Sequence, residues 1–146
     1  MKKIFITFII SSAALTTACT KQTLYLTPEI TGYLYDSVTQ KPLSKKEGAI
    51  IFQGFDGNKS PPVALGENGS FSIPPIKRYY YFIFPDVRVY GEIEPEIYVE
   101  YQAYKAIFFD YSKFYWNQVS EEKSGYEHYK KIDVGVIYLD PKNKAE

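Results

Sequence analysis

A single cysteine, Cys19, stands in a chain of 146 residues, so no intramolecular disulfide can form. His128 is equally alone. With one thiol and one imidazole, neither a Ser-His-Asp nor a Cys-His nucleophilic arrangement has a recognisable pattern. His128, set among Lys, Glu and Tyr, reads as a solvent-exposed side chain. The ligand spacings of structural zinc are missing, and Asp56, Asn58 and Glu67 do not make the Asp-x-Asp-x-Asp-Gly loop that calcium favours. No Gly-rich phosphate loop occurs. Basic and acidic residues number 17 each, a balance that gives no electrostatic ground for binding nucleic acid. Long apolar runs are scarce too. The longest, residues 4–15, falls short of the roughly 20 residues that a spanning helix requires.

That run nevertheless has an address. Lys2 and Lys3 precede it, and the small residues Thr16, Thr17 and Ala18 separate it from Cys19, the layout of a secretory signal. The segment Leu15-Thr16-Thr17-Ala18-Cys19 resembles the lipobox read by lipoprotein signal peptidase. The resemblance implies a bacterial lipoprotein: residues 1–18 are removed and Cys19 becomes the lipid-modified first residue. No cofactor other than this covalent lipid, and no metal, is expected. The rival is an ordinary signal peptide cut after Ala13 or Ala18, which leaves a lone thiol in an oxidising compartment. Two or three acyl chains would hold the protein at a bilayer far more firmly than one. Thr20, not Asp, follows the cysteine, which by resemblance to enterobacterial sorting implies the outer membrane of the cell envelope.

Beyond the anchor, Tyr, Phe, Ile and Val favour pleated surfaces, and Gly and Pro interrupt them at short intervals. The expected organisation is a tether over residues 19–27, one all-β domain over 28–140 and a polar tail over 141–146. Ile30, Gly32 and Leu34 alternate with Thr31, Tyr33 and Tyr35 and lead into turn residues 36–40. Residues 49–55 make a second strand, stopped by Asp56-Gly57-Asn58. Val63–Leu65 and Phe71–Ile73 flank Gly66-Glu67-Asn68-Gly69, a hairpin signal. Residues 79–84 read as a central strand buried on both faces, and residues 87–93 as a more exposed strand ending at Pro95. Ile97, Val99, Tyr101 and Ala103 alternate with polar and aromatic residues, in a strand that continues into residues 107–109. Residues 112–131 have no period-two pattern; they hold either a short helix over about 112–122 or a long loop. Ile132, Val134, Val136 and Tyr138 mark a closing strand.

The stretch Ile30-Thr31-Gly32-Tyr33-Leu34-Tyr35-Asp36, with Thr39, Pro42 and Leu43 following, resembles the opening strand and turn of carboxypeptidase regulatory-like domains. Asn68-Gly69-Ser70-Phe71-Ser72-Ile73 resembles that family's Gly-x-Phe strand, and Val134-Gly135-Val136-Ile137-Tyr138-Leu139 its closing strand. The resemblance implies a transthyretin-like, prealbumin-type β-sandwich of about seven or eight strands with an aromatic-rich insert. It implies no substrate, because the pattern is physical: glycines for close approach, Asp36 and Thr39 for a turn, Pro42 to restart an extended segment.

Two clusters carry functional expectations. Aromatic residues are abundant, with 15 Tyr, 10 Phe and one Trp. Phe108, Phe109, Tyr111, Phe114, Tyr115 and Trp116 crowd a segment without strand periodicity, a composition typical of interfaces. The expected role is a non-enzymatic protein-binding module at the bilayer, either an envelope assembly component or an immunity-type protector. Glu92, Glu94, Glu96 and Glu100 offer the alternative, an envelope glycan hydrolase using two carboxylates roughly 5 to 9.5 Å apart. A solvated strand face is the simpler account of those glutamates.

The anchor is tested directly. Mass spectrometry of the mature N-terminus should find acyl chains on Cys19, and Cys19→Ala should leave the protein unprocessed or released from the membrane fraction. A Cys19→Ala protein that is cleaved normally and still sediments with membranes refutes lipidation.

Overall fold

The computed structural model describes residues 20–44, 48–52, 63–90 and 93–142. Cys19, the leader, the turn Asp56-Gly57-Asn58 and Glu92 therefore lie outside the described residues. The described elements are β1 (Gln22–Tyr25), β2 (Glu29–Asp36), β3 (Gly48–Phe52), β4 (Ser70–Ile73), β5 (Lys77–Tyr80), β6 (Glu96–Tyr101), β7 (Ile107–Asp110), α1 (Ser112–Gln118) and β8 (Lys131–Leu139). Two 3-10 turns, Val87–Tyr90 and Glu121–Lys123, complete the series.

Two three-stranded sheets, ordered β4-β2-β8 and β3-β6-β7, share one apolar core in a sandwich-like arrangement. Alternation builds it. Ile30 and Leu34 of β2, Phe71 and Ile73 of β4, and Ile132 and Leu139 of β8 meet Ile50 and Phe52 of β3 and Ile97, Val99 and Tyr101 of β6. Each aliphatic side chain removed from water at such a site stabilises the fold by about 1.5–3 kcal/mol relative to its exposed state. Tyr101 is fully buried, its hydroxyl donating to the Val63 carbonyl at 3.2 Å. Burial pushes that phenol up to about 12.

The segment expected as a tether does more than tether. Within it, β1 pairs antiparallel with β5, Gln22 opposite Tyr80 and Tyr25 opposite Lys77, and Leu24 is fully buried. The expected central strand over residues 79–84 is corrected by its exposure: only Tyr79 and Tyr80 belong to β5, while Phe82 and Ile83 are 72% and 84% exposed. Its partner β1 is four residues long, so beyond Tyr80 the run has no paired strand among the described residues. Of the strand expected over residues 87–93, Val87–Tyr90 is not a strand either. Asp86 wins locally, accepting the Arg88 N–H at 3.1 Å and both guanidinium contacts at 3.0 Å, and the chain turns into 3-10 geometry. Val63–Leu65 forms no strand, although the Gly66 N–H donates to the Ser70 carbonyl at 2.8 Å and the expected turn is made.

The strand expected to run from residue 97 past 107 instead folds back on itself. β6 and β7 form an antiparallel hairpin, Glu96 opposite Asp110 and Val99 opposite Ile107, turned at Ala103 with φ of 70°. Residues 112–122 resolve in favour of the helical reading, with α1 shorter than expected.

β2 and β8 run parallel, and their register slips by one residue where Gly32 faces both Val134 and Gly135. That bulge reverses the phase of β8. Ile132 and Val134 point into the core as expected, but beyond Gly135 it is Ile137 and Leu139 that are buried, with Val136 and Tyr138 exposed. The two glycines serve different needs. A Cβ on Gly32 would stand 2.8 Å from the Gly135 carbonyl oxygen, whereas Gly135 has open space around it and a φ of 68°.

Where β2 ends, Asp36 organises a turn. Its Oδ1 accepts the N–H groups of Val38 and Thr39 at 2.9 and 2.7 Å, and its Oδ2 accepts the Tyr104 hydroxyl at 2.9 Å. These bonds, that to the Thr39 N–H foremost, hold the carboxyl below its ordinary value.

The two glycines should separate in equilibrium urea unfolding. Gly32→Ala forces a methyl onto backbone and should cost about 1–3 kcal/mol; Gly135→Ala pays only for the left-handed conformation, about 1–2 kcal/mol, and Gly135→Asn should recover part of that loss. Equal costs for Gly135→Ala and Gly135→Asn would contradict the assignment of strain at this residue.

Candidate functional site

A cleft of about 400 Å³ opens at the end of the sandwich where β2 and β8 begin. Leu26, Thr27 and Pro28 enter it from the β1–β2 connection, Ile93 and Pro95 from the approach to β6, Tyr111, Ser112, Tyr115 and Trp116 from α1 and its cap, and Ser124, Tyr126 and Lys130 from the segment before β8. The Tyr111 N–H donates to the Pro95 carbonyl at 2.8 Å, fixing the helix start against β6. Thr27 is buried, and its Oγ1 accepts the Ile76 N–H at 2.9 Å.

The helix has a physical reason to begin and to face as it does. Asp110 Oδ1 accepts the Ser112 N–H at 2.7 Å, serving a donor that the first turn leaves free. Tyr111, Phe114, Tyr115 and Val119 recur at helical spacing and turn toward the core, leaving Trp116 off that stripe. At the far end the Gln118 carboxamide both donates to the Asp133 carbonyl at 2.7 Å and accepts its N–H at 2.9 Å. This pair occupies the free edge of β8 as a further strand would.

The six aromatic residues expected as one surface divide. Tyr111 is buried, its ring edge-on to Phe52 at 6.3 Å, and burial raises its phenol well above the ordinary value. Phe109 and Phe114 pack together at 5.9 Å against the core. Phe108 lies on the outer face of its strand, 5.1 Å from Tyr98. Tyr111, Tyr115 and Trp116 alone are brought together in the cleft, Trp116 being 73% exposed and edge-on to Tyr115 at 5.2 Å.

Lys130 is the residue that the sequence patterns passed over. It is only 6% exposed. Its Nζ donates to the carbonyls of Gly125 and Ser124 at 2.9 and 3.3 Å and lies 5.7 Å from the Tyr126 ring. No carboxylate pairs with it among the described residues. Burial accordingly pushes the ammonium below its ordinary value. The signal was available: Lys130 continues the inward phase of Ile132 and Val134 by one step. Neighbouring charge is spent elsewhere, since Glu29 accepts the Tyr129 hydroxyl and pairs with Lys131 at 3.1 Å. The Tyr129 bond, followed by Lys131, lowers the Glu29 carboxyl.

Of the acidic cluster, Glu92 lies outside the described residues, Glu94 precedes β6, and Glu96 and Glu100 are four residues apart on it. Strand geometry separates their α-carbons by about 13 Å. Glu100 faces Tyr98, whose phenol is raised by burial and by this carboxylate. The cleft, by contrast, combines aromatic walls with one buried cation, an arrangement able to take an apolar group that carries a carboxylate.

Trp116→Ala should leave urea stability nearly unchanged, whereas Tyr111→Ala should cost about 3–5 kcal/mol. Lys130→Met should be neutral or stabilising at neutral pH, since it removes a desolvated charge. The penalty of that charge is present below the lowered folded value and fades as pH rises through it, so the gap between Lys130→Met and the parent should narrow in alkaline buffer. A gap that widens there would contradict a buried ammonium.

No family model, curated protein or solved structure matches the chain.

Proposed function

We propose that this protein is a lipid-anchored component of the bacterial cell envelope, held through Cys19 at the outer membrane, whose transthyretin-like sandwich binds a protein partner and performs no chemistry of its own. The observation that carries this reading is the cleft around Trp116. An exposed indole beside half-buried tyrosines, over a buried ammonium that pairs with no carboxylate among the described residues, is costly to maintain and is the composition of an interface hot spot. The fitting partner element is a segment that brings an apolar side chain and a carboxylate, the first against Trp116 and Tyr115, the second to Lys130. An envelope assembly component and a toxin masked by an immunity-type protector both satisfy this chemistry.

The transthyretin-like reading draws support from the Asp36 turn, the turn before Phe71 and the parallel pairing of the first and last strands of the larger resemblance. Glycan hydrolysis draws less: none of Glu94, Glu96 and Glu100 is among the residues that line the cleft.

In-cell crosslinking followed by identification of the captured protein tests the proposal. Trp116→Ala should weaken capture by about 2 kcal/mol or more, near thirtyfold, and Lys130→Met should weaken it while leaving the fold at least as stable. Capture that is indifferent to both substitutions, or turnover of an envelope glycan that disappears in Glu94→Gln or Glu100→Gln with folding intact, overturns it.

A further inference from the structure

Beyond the cleft, the described surface carries a further apolar feature. Tyr81, Phe82, Ile83 and Phe84 follow β5 and are 55%, 72%, 84% and 45% exposed. They are contiguous, and the Phe84 ring turns back edge-on to Tyr80 at 5.4 Å, so the four residues form a compact tip. Exposed patches of this kind mark contact with another protein or with lipid.

The register of the β1–β5 ribbon decides between them. Gln22 is paired with Tyr80, so the end of β1 from which the chain departs toward its N-terminus is the end at which β5 runs into the tip. Cys19 precedes Gln22 by three residues, a span of at most about 11 Å. Lys21 holds this corner together, its Nζ 3.7 Å from the Tyr79 ring centroid. The cations of the ribbon, Lys21, Lys77 and Arg78, are exposed, while the first carboxylate after the tip, Asp86, is engaged by Arg88 at 3.0 Å. Apolar and aromatic residues with exposed cations along the adjoining ribbon match an anionic lipid surface, with tyrosines suited to the headgroup level and Phe82 and Ile83 to the acyl boundary.

We propose that the tip formed by Tyr81, Phe82, Ile83 and Phe84 inserts into the bilayer beside the anchor and acts as a second membrane contact that orients the domain. The geometry of this inference rests on the lipidation of Cys19, but the first arm of its test does not. In the first arm, the mature chain beginning at Thr20, which contains every described element, is sedimented with vesicles of phosphatidylethanolamine and phosphatidylglycerol. Partitioning should fall at least about tenfold in the Phe82→Ser, Ile83→Ser double variant, as loss of two buried side chains requires, and should be unchanged in Val38→Ser, an equally exposed apolar position at the opposite end. In the second arm, the lipidated protein carrying Phe82→Trp is reconstituted with brominated phospholipid. The new indole should be quenched and blue-shifted, while Trp116 emission in the parent protein is not. Failure of lipidation shows in the mass of the mature N-terminus and leaves the first arm readable. A double variant that partitions like the parent, an unquenched indole at position 82, or a tip whose mutation dissociates a dimer without altering vesicle binding overturns the proposal.

Discussion

The parallel pairing of β2 with β8 is the constraint from which the rest of the architecture follows. Parallel neighbours cannot be joined by a tight turn, so everything between them must serve as the crossover. Here the crossover carries β4, the second sheet, β5 and the helix. Thr31 Oγ1 donates to the Ile132 carbonyl at 3.3 Å across 101 residues of sequence. Because both strands point the same way, the domain has two unlike ends. At one, Asp36, Tyr104 and the Ser37–Asp140 hydrogen bond draw the turn, the β6–β7 hairpin and the end of β8 together. At the other, where both strands start, the chain leaves room for the cleft and the ribbon.

Much of the fold was legible because alternation reports burial on one face. Ile30 and Leu34, Phe71 and Ile73, Ile97, Val99 and Tyr101 all point inward as their spacing requires. The misreadings share a cause. An unbroken apolar run such as residues 79–84 has no phase, and its composition is the same whether a sheet covers it or nothing does. Ala103 turns a hairpin without glycine or asparagine, so no local chemistry announced the reversal. Gly135 carried the right residue type, but close approach and positive φ both select glycine, and only the backbone distinguishes them. β1 rests on Leu24, one apolar residue among polar neighbours.

The site was legible in its aromatics and illegible in its charge. Tyr111, Phe114 and Tyr115 at helical spacing already imply a core-facing stripe with Trp116 outside it. Lys130 escaped notice because a lysine beside a strand is ordinarily a solvated flank. Its burial breaks the rule that interior charges are paired, and such local departures concentrate where a protein meets a ligand.

The position of β8 as the last described strand has a further consequence, for the order of events as the chain is made. The sheet's central strand β2 emerges early and has one neighbour, β4, within reach, but its other flank and half of the inward side chains of that sheet arrive only with β8. Contacts so distant in sequence close slowly, because the loop entropy falls due before the contacts return anything. Until that last strand is made, the sheet is open along one flank of β2, and it closes only when β8 arrives.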